Sequence, residues 1–365
     1  MANLFEPITI NGLELKNRFM RSATWDATAD ETGMVTDRSI ELYRRLGEGG
    51  IGLIVTGFAF VSRNGQAVAA QYGIFADEMI PGLRRIVEAA KHDGTKVAIQ
   101  IVHAGINSVY LSRQGIRSLA MSYTPEINRP HREMTEKDIE VIIDDFAAAA
   151  ARAQEAGFDA IQLHGAHGYL MSQAESPLFN RRTDQWGGNP ENRRRFHLEV
   201  IRQMRKAIGD DVPLMIKFGI MDDREGGLTL DEGIETARQM TAAGLDAIEV
   251  SAGIGQPLLL AREGDPEQTP FRKRTARLKS EVSVPVMLVS GIRTLETAKD
   301  IIESGDADMV SMCRPLIREP GLVARWHRGD QVAAKCISCS RCMRIAGRGE
   351  PLECNEEIRI REETH

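Results

Sequence analysis

Aromatic residues are scarce, 5% of 365, and no basic stripe interrupts a chain of net charge −6 with acids and bases interspersed. That balance argues against nucleic acid as a partner. No apolar run approaches the ~20 residues a membrane-spanning helix needs, so no membrane partner is expected. The opening Met1-Ala2-Asn3-Leu4-Phe5-Glu6-Pro7 lacks the charged-then-apolar pattern of a secretory signal, and the expectation is a cytoplasmic protein. Internal repeats and low-complexity segments are absent as well. Cysteine is sparse and unevenly placed: Cys313 stands alone, and Cys336, Cys339, Cys342 and Cys354 crowd one end. A disulfide framework suits neither this size nor this compartment. A glycine-rich dinucleotide turn is also missing, since the first strand runs into Ser22-Ala23-Thr24-Trp25. That excludes the usual doubly wound nucleotide-binding sheet.

What is present is alternation. Pro7–Leu15 sets apolar residues on either side of Asn11-Gly12, a hairpin signal. From Asn17 onward, short apolar runs alternate with helical patterns. The strands are read at Arg18–Thr24, Ile51–Thr56, Lys96–Val102, Ala160–Leu163, Pro213–Phe218, Ala247–Val250, Val284–Val289 and Ala307–Met312. Capping patterns at Thr135-x-x-Asp138 and Thr229-x-x-Glu232 mark two of the helix starts. Eight strand–helix pairs in this length predict an α/β (β/α)8 TIM barrel over 1–330. An N-terminal hairpin would cap its bottom, and 331–365 would form a short Cys-rich C-terminal extension. The long excursions after strands three and four are the expected walls of a site.

Barrel enzymes keep their chemistry at the C-terminal ends of the strands. Those ends offer Ser22-Ala23-Thr24-Trp25, Thr56-Gly57, Gln100 with His103, His164 with His167, Lys217, Ser251 with Gly253, Ser290-Gly291 and Cys313-Arg314. Taken singly, a barrel lysine or glutamine is as often structural as functional. Together they suit a flat, polar, anionic ligand, with Arg314 at the phosphate position that barrels place after their last strands.

The densest stretch is Asp159–Gly188, where a buried strand ends in His164, His167 and Tyr169 and a long polar loop follows. Three readings stand open. His-x-x-His could hold a metal with Glu175 as the nearby carboxylate. The two rings could be satisfied structural histidines. Or two imidazole N–H groups could hold a developing anion while Tyr169 supplies a proton.

The run H-G-A-H-G-Y-L at His164–Leu170 closely resembles the Old Yellow Enzyme family of flavin-dependent ene-reductases. So do S-P-L-F-N-R-R-T-D-Q-W-G-G at Ser176–Gly188, N-R-R-R-F at Asn192–Phe196, and the opening L-F-E-P-I-T-I-N-G-L-E-L-K-N-R-F. The same resemblance surrounds Gln100 in I-Q-I-V-H-A-G, Lys217 in M-I-K-F, Ser290-Gly291 in L-V-S-G-I-R-T, and Cys313-Arg314 in C-R-P-L-I-R-E-P. It spans about Leu4 to Arg325 and implies FMN as cofactor with NADH or NADPH as reductant. It implies that Ser22, Ala23, Thr24, Gly57, Gln100 and His164 line the flavin ring. It sets Lys217 at the N1/O2 edge, where most relatives carry arginine, and Ser290, Gly291, Cys313 and Arg314 around the phosphate. The implied reaction is ping-pong reduction of an activated alkene. Hydride passes from NAD(P)H to flavin N5 and on to the β-carbon, His164 and His167 hold the carbonyl oxygen, and Tyr169 protonates the α-carbon. Trp25 stands where relatives hold a smaller residue, which is expected to alter the flavin environment or narrow the pocket.

The segment Cys336-Ile337-Ser338-Cys339-Ser340-Arg341-Cys342 is C-x-x-C-x-x-C, and Cys354 returns nearby. Four thiols suit zinc or an iron–sulfur cluster. The triple spacing favours [4Fe–4S], and the segment resembles the cluster region of the trimethylamine dehydrogenase and 2,4-dienoyl-CoA reductase branch. Such a cluster would exchange electrons with a partner protein; zinc, or no metal, is the alternative. A homo-oligomer is expected from the family alone. Competing readings are an oxidative amine demethylase, a non-redox Schiff-base lyase using Lys217, and a thiol–metal scaffold.

Overall fold

A computed structural model describes residues 3–255 and 269–363. The strands are β1 (Ile8–Ile10), β2 (Leu13–Leu15), β3 (Phe19–Arg21), β4 (Leu53–Val55), β5 (Ala59–Phe60), β6 (Lys96–Val102), β7 (Ser118–Ala120), β8 (His131–Glu133), β9 (Ala160–Gly165), β10 (Leu214–Gly219), β11 (Ala247–Ser251), β12 (Val286–Val289) and β13 (Met309–Met312). The helices are α1 (Asp37–Gly47), α2 (Ile80–Ala90), α3 (Val109–Arg113), α4 (Glu136–Glu155), α5 (Leu170–Glu175), α6 (Pro190–Ile208), α7 (Leu230–Ala242), α8 (Arg272–Lys279), α9 (Leu295–Glu303), α10 (Arg314–Arg318), α11 (Leu322–His327), α12 (Arg341–Ala346) and α13 (Asn355–Glu363). Strands β3, β4, β6, β9, β10, β11, β12 and β13 pair in parallel, and β4 pairs with β6 to close the ring. This is the (β/α)8 barrel the alternation predicts, with β1–β2 as its antiparallel hairpin.

Side chains alternate across each strand, so one parity faces the barrel interior and the other meets the helices. The interior fills in layers. Its lowest layer is apolar: Met20, Leu53, Val55, Ala98, Ala160, Met215, Ala247, Met287 and Met309, plugged from below by Ile10 and Leu15 of the hairpin. Two residues further along six of the eight strands, the same parity delivers Ser22, Gln100, Gln162, Lys217, Glu249 and Ser311, all buried. The opposite parity, including Phe19, Ile54, Ile99, Ile161, Ile216, Ile248 and Val310, packs with the helices in the main core.

Caps start the outer helices where the sequence places them. Thr135 Oγ1 accepts from Asp138 N before α4, and Thr229 Oγ1 accepts from Glu232 N before α7, with the acids answering in both. Each such cap stabilises by roughly 1 kcal/mol. One expectation fails: the stretch after β9 is not a solvated polar loop throughout. Its first half folds into α5, every residue of which is buried. The small and apolar residues Leu170, Met171 and Ala174 have a core to enter, and Asn180 ties the following turn back to Ala174 O and Trp186 O.

The Cys-rich extension does not stand apart. Cys342, Ala346 and Leu352 pack with Ala27, Trp25 and Met343, and Leu352 N bonds Asp26 O at 2.7 Å. Among the described residues no helix is long and apolar enough to cross a membrane.

Candidate active site

The polar layer inside the barrel is one connected network. Glu249, wholly buried, accepts from Ser22 Oγ and Ser311 Oγ at 2.7 Å each and from Gln162 Nε2 at 2.9 Å. Lys217 Nζ lies 3.5 Å from Glu249 Oε2 and donates to Ser22 Oγ at 2.7 Å. Parallel register explains the meeting, because Lys217 pairs with Glu249 across β10–β11 and with His164 across β10–β9. Gln100 Nε2 donates to Gln162 Oε1 at 2.7 Å, so part of its amide is committed inward.

Above this layer sit His164, His167 and Tyr169. The ring of His164 stands edge-on to those of His167, 5.0 Å away, and Tyr169, 4.9 Å away. His164 Nδ1 accepts from Ala166 N at 3.3 Å, which leaves the proton of the neutral ring on Nε2. His167 Nε2 is engaged with Ser251 Oγ at 2.8 Å. Burial, with His167 and Lys217 beside it, holds His164 well below the usual imidazole range. Burial, with Lys217 behind it, pushes His167 down to about 3. Burial pushes the Tyr169 phenol up to about 12, against an opposing pull from Arg129. At neutral pH both rings are therefore neutral single donors and the phenol keeps its proton. His167 and Ser290 both adopt left-handed backbone, at φ 62° and 86°. Such strain costs of order 1–3 kcal/mol in a non-glycine residue and tends to collect where function requires it.

One cavity of about 810 Å³ gathers these groups. It is lined by Ser22, Ala23, Thr24, Gln100, His164, His167, Tyr169, Lys217, Ser290, Gly291, Cys313 and Arg314, with Trp25, Phe58 and Met343 as apolar walls. Thr24 Oγ1 meets Cys313 Sγ at 2.9 Å and Arg314 Nη1 reaches Ser338 O and Ser340 Oγ. Gly57 is the exception. It lies outside that lining, and its N–H donates to Tyr43 Oη at 2.7 Å. A side chain there would meet Thr24 O at 2.9 Å and Asp26 Oδ2 at 3.1 Å, so this glycine serves close packing behind the first strand. Glu175 likewise faces away from the His pair, toward His197 Nε2 at 3.7 Å, which removes the carboxylate from the metal reading of His-x-x-His.

A model of the NADH:flavin oxidoreductase / NADH oxidase family matches residues 3–332. The chain belongs to this family. It is 38% identical over 343 residues to an NADH oxidase of Thermoanaerobacter brockii, covering 93% of this chain but 53% of that protein. It is 36% identical over 320 residues to an NADPH dehydrogenase of Geobacillus sp. (strain WCH70), covering 87% and 91% respectively. The solved complex of 2-naphthoyl-CoA reductase with 2-naphthoyl-CoA superposes with a TM-score of 0.90 at 28% identity, over 96% of this chain and 56% of that one. The chain thus spans about half the length of two of these relatives and nearly all of the third.

The cavity suits FMN on its own chemistry. Its volume lies in the range of cofactor pockets. Among the described residues its charged side chains, Lys217, Arg314 and Arg129, are all cationic, and no carboxylate lines it. A planar ring with an electron-rich edge and a phosphate is the kind of ligand such a lining accepts.

A second, much smaller cavity lies beside the first and is lined by Cys336, Cys339, Cys342 and Cys354 together with Arg314 and Arg318. Arg314 borders both. Burial pushes the Cys342 thiol up to about 12 and raises Cys336, with the neighbouring thiols adding to both. Four soft donors around one space fit a thiolate site. As they stand, no three thiol, imidazole or carboxylate groups among the described residues converge closely enough to hold an ion.

Sequence reasoning missed Glu249, Gln162 and Arg129. A carboxylate inside the apolar run Ala247-Ile248-Glu249-Val250-Ser251 was a usable signal, since an unpaired buried acid is rare. Arg129 had none, because it comes from the long excursion after β6 whose path no local pattern fixes.

Proposed function

We propose that the protein reduces the activated C=C bond of α,β-unsaturated carbonyl compounds, with NADH or NADPH as reductant. FMN, held by Ser22, Ala23, Thr24, Gln100, Lys217, Ser290, Gly291 and Arg314, supplies the hydride when bound. One observation carries the reading: a neutral imidazole donor and a protonated phenol share one wall of the cavity, their rings 4.9 Å apart. The Nε2–H of His164 donates to the substrate's carbonyl oxygen and holds the negative charge that grows there. A ring so hard to protonate stays a hydrogen-bond donor and does not become a competing acid. His167, braced by Ser251, fixes the second side of that oxygen's pocket. Tyr169 gives its proton to the α-carbon as the β-carbon receives hydride, and a proton from solvent restores the phenol.

The test separates the two half-reactions. In Tyr169→Phe, bleaching of the flavin bands by NADH or NADPH is expected to stay near wild type. Reoxidation by 2-cyclohexen-1-one is expected to slow about 100-fold or more. Equal loss of both would remove the proton-donor role, and a protein that takes up no FMN would remove the whole reading.

We further propose that Cys336, Cys339, Cys342 and Cys354 hold a [4Fe–4S] cluster. Supporting this is their sharing of one cavity that borders the flavin cavity through Arg314.

A further inference from the structure

Among the described residues three cations line the main cavity and no carboxylate does. Two of the three have an account. Lys217 stands against Glu249 at the ring edge, and Arg314 bridges to the cysteine segment at the phosphate end. Arg129 has none. It enters from the excursion between β7 and β8, half-buried, and lines the cavity near Tyr169, whose phenol its charge reaches. Among the described residues its guanidinium makes one hydrogen bond, Nη1 to Asn107 Oδ1 at 2.9 Å. Asn107 in turn donates from Nδ2 to Gly168 O at 2.6 Å, in the turn between His167 and Tyr169. Gly168 has φ 75°, and a Cβ there would come within 2.9 Å of that same Nδ2. The cation is therefore tied to the catalytic turn by a short relay. Among the described residues no carboxylate pairs with it.

A guanidinium carries five N–H donors in a planar fork suited to carboxylate, and here one is used. From this we infer that Arg129 recognises a carboxylate on the substrate. On the reading given above, the favoured substrates are then unsaturated acids with a second, activating carbonyl, and neutral enones are poorer. A cation so placed could also meet the phosphates of the nicotinamide reductant, which share the anionic chemistry; the experiment separates the two.

The test uses the FMN-loaded full chain and equilibrium binding, so it does not depend on turnover. Titrate 3- and 4-hydroxybenzoate and their neutral amides, following flavin absorbance or heat. At least one acid is expected to bind about tenfold or more tighter than its amide. Arg129→Gln should abolish that preference, Arg129→Lys should restore part of it, and Arg129→Glu should reverse it. Equal affinity of acid and amide in the wild type, or no binding by either, overturns the inference, as does a preference that survives in Arg129→Gln. Slowed flavin reduction by NADH or NADPH with the acid preference intact assigns the cation to the reductant and also overturns it. Failure of alkene reduction itself would show in the cyclohexenone assay and leave this binding result standing.

Discussion

Glu249 and Lys217 show how one residue can set the character of the site. Lys217 brings a positive charge to the cavity, and a wholly buried carboxylate 3.5 Å away opposes it. The pair is held in place from both sides, by two serine hydroxyls and the Gln162 amide. Glu249→Gln keeps the shape and removes the negative charge. The reduction potential of bound FMN is expected to rise by roughly 30–60 mV, which matches ~1.4–2.8 kcal/mol for one uncompensated charge at an effective dielectric of ~20. Equilibration with redox dyes measures it, and an unmoved potential with an intact fold would mean that Glu249 is structural only.

At the scale of elements, the loop leading into α12 matters most. Ser338 and Ser340 are buried and both left-handed, at φ 55° and 59°, between the thiols of Cys336, Cys339 and Cys342. Non-glycine residues rarely hold such angles without a constraint, and here the turns direct the thiols toward one cavity. Purification without air is expected to give a broad brown absorbance beyond the flavin bands, with iron and acid-labile sulfide near stoichiometric for one [4Fe–4S]. Cys342→Ser should remove the iron. Zinc in the elemental analysis, or no metal at all, would overturn the cluster. Because Cys342, Ala346 and Leu352 also pack on Trp25 and Ala27, the indole that stands where the family resemblance implies a smaller residue has a structural use. It forms the floor on which the extension sits.

The whole molecule's stability should depend on pH through Glu175. This carboxyl, at the end of α5, is wholly buried near Thr236 and faces a His197 ring that burial pushes down to about 3. Burial raises Glu175 to about 8 from 4.5, so in the folded state it holds a proton that the unfolded chain loses. Between those two values the unfolded state binds fewer protons, and stability falls as pH rises, levelling off above about 8. Glu175→Gln removes that slope. It is expected to raise stability at pH 8 by on the order of 2 kcal/mol or more, with little gain at pH 4.5. Scanning calorimetry at the two pH values checks it, and an equal gain at both would show that the carboxyl does not titrate this way.

Much of this was legible in the linear chain, and for a physical reason. Strand parity is local, so the run Leu214-Met215-Ile216-Lys217-Phe218 already announces a charge facing inward among apolar neighbours. Capping residues act within four positions, which is why Thr135 and Thr229 mark their helices correctly. The His164–Tyr169 turn declares itself because its chemistry is contiguous in sequence. What the sequence could not decide were relations between distant segments. Gly57 reads as a site residue by position, yet it lies buried outside the cavity lining with its N–H donated to Tyr43 Oη. The partnership of Lys217 with Glu249 depends on barrel register, and the approach of Arg129 to Tyr169 depends on how a long excursion folds back. Local physics determined the barrel and the His164–Tyr169 turn; only tertiary packing, where burial and charge meet across strands far apart in the chain, decided which groups confront one another in the cavity.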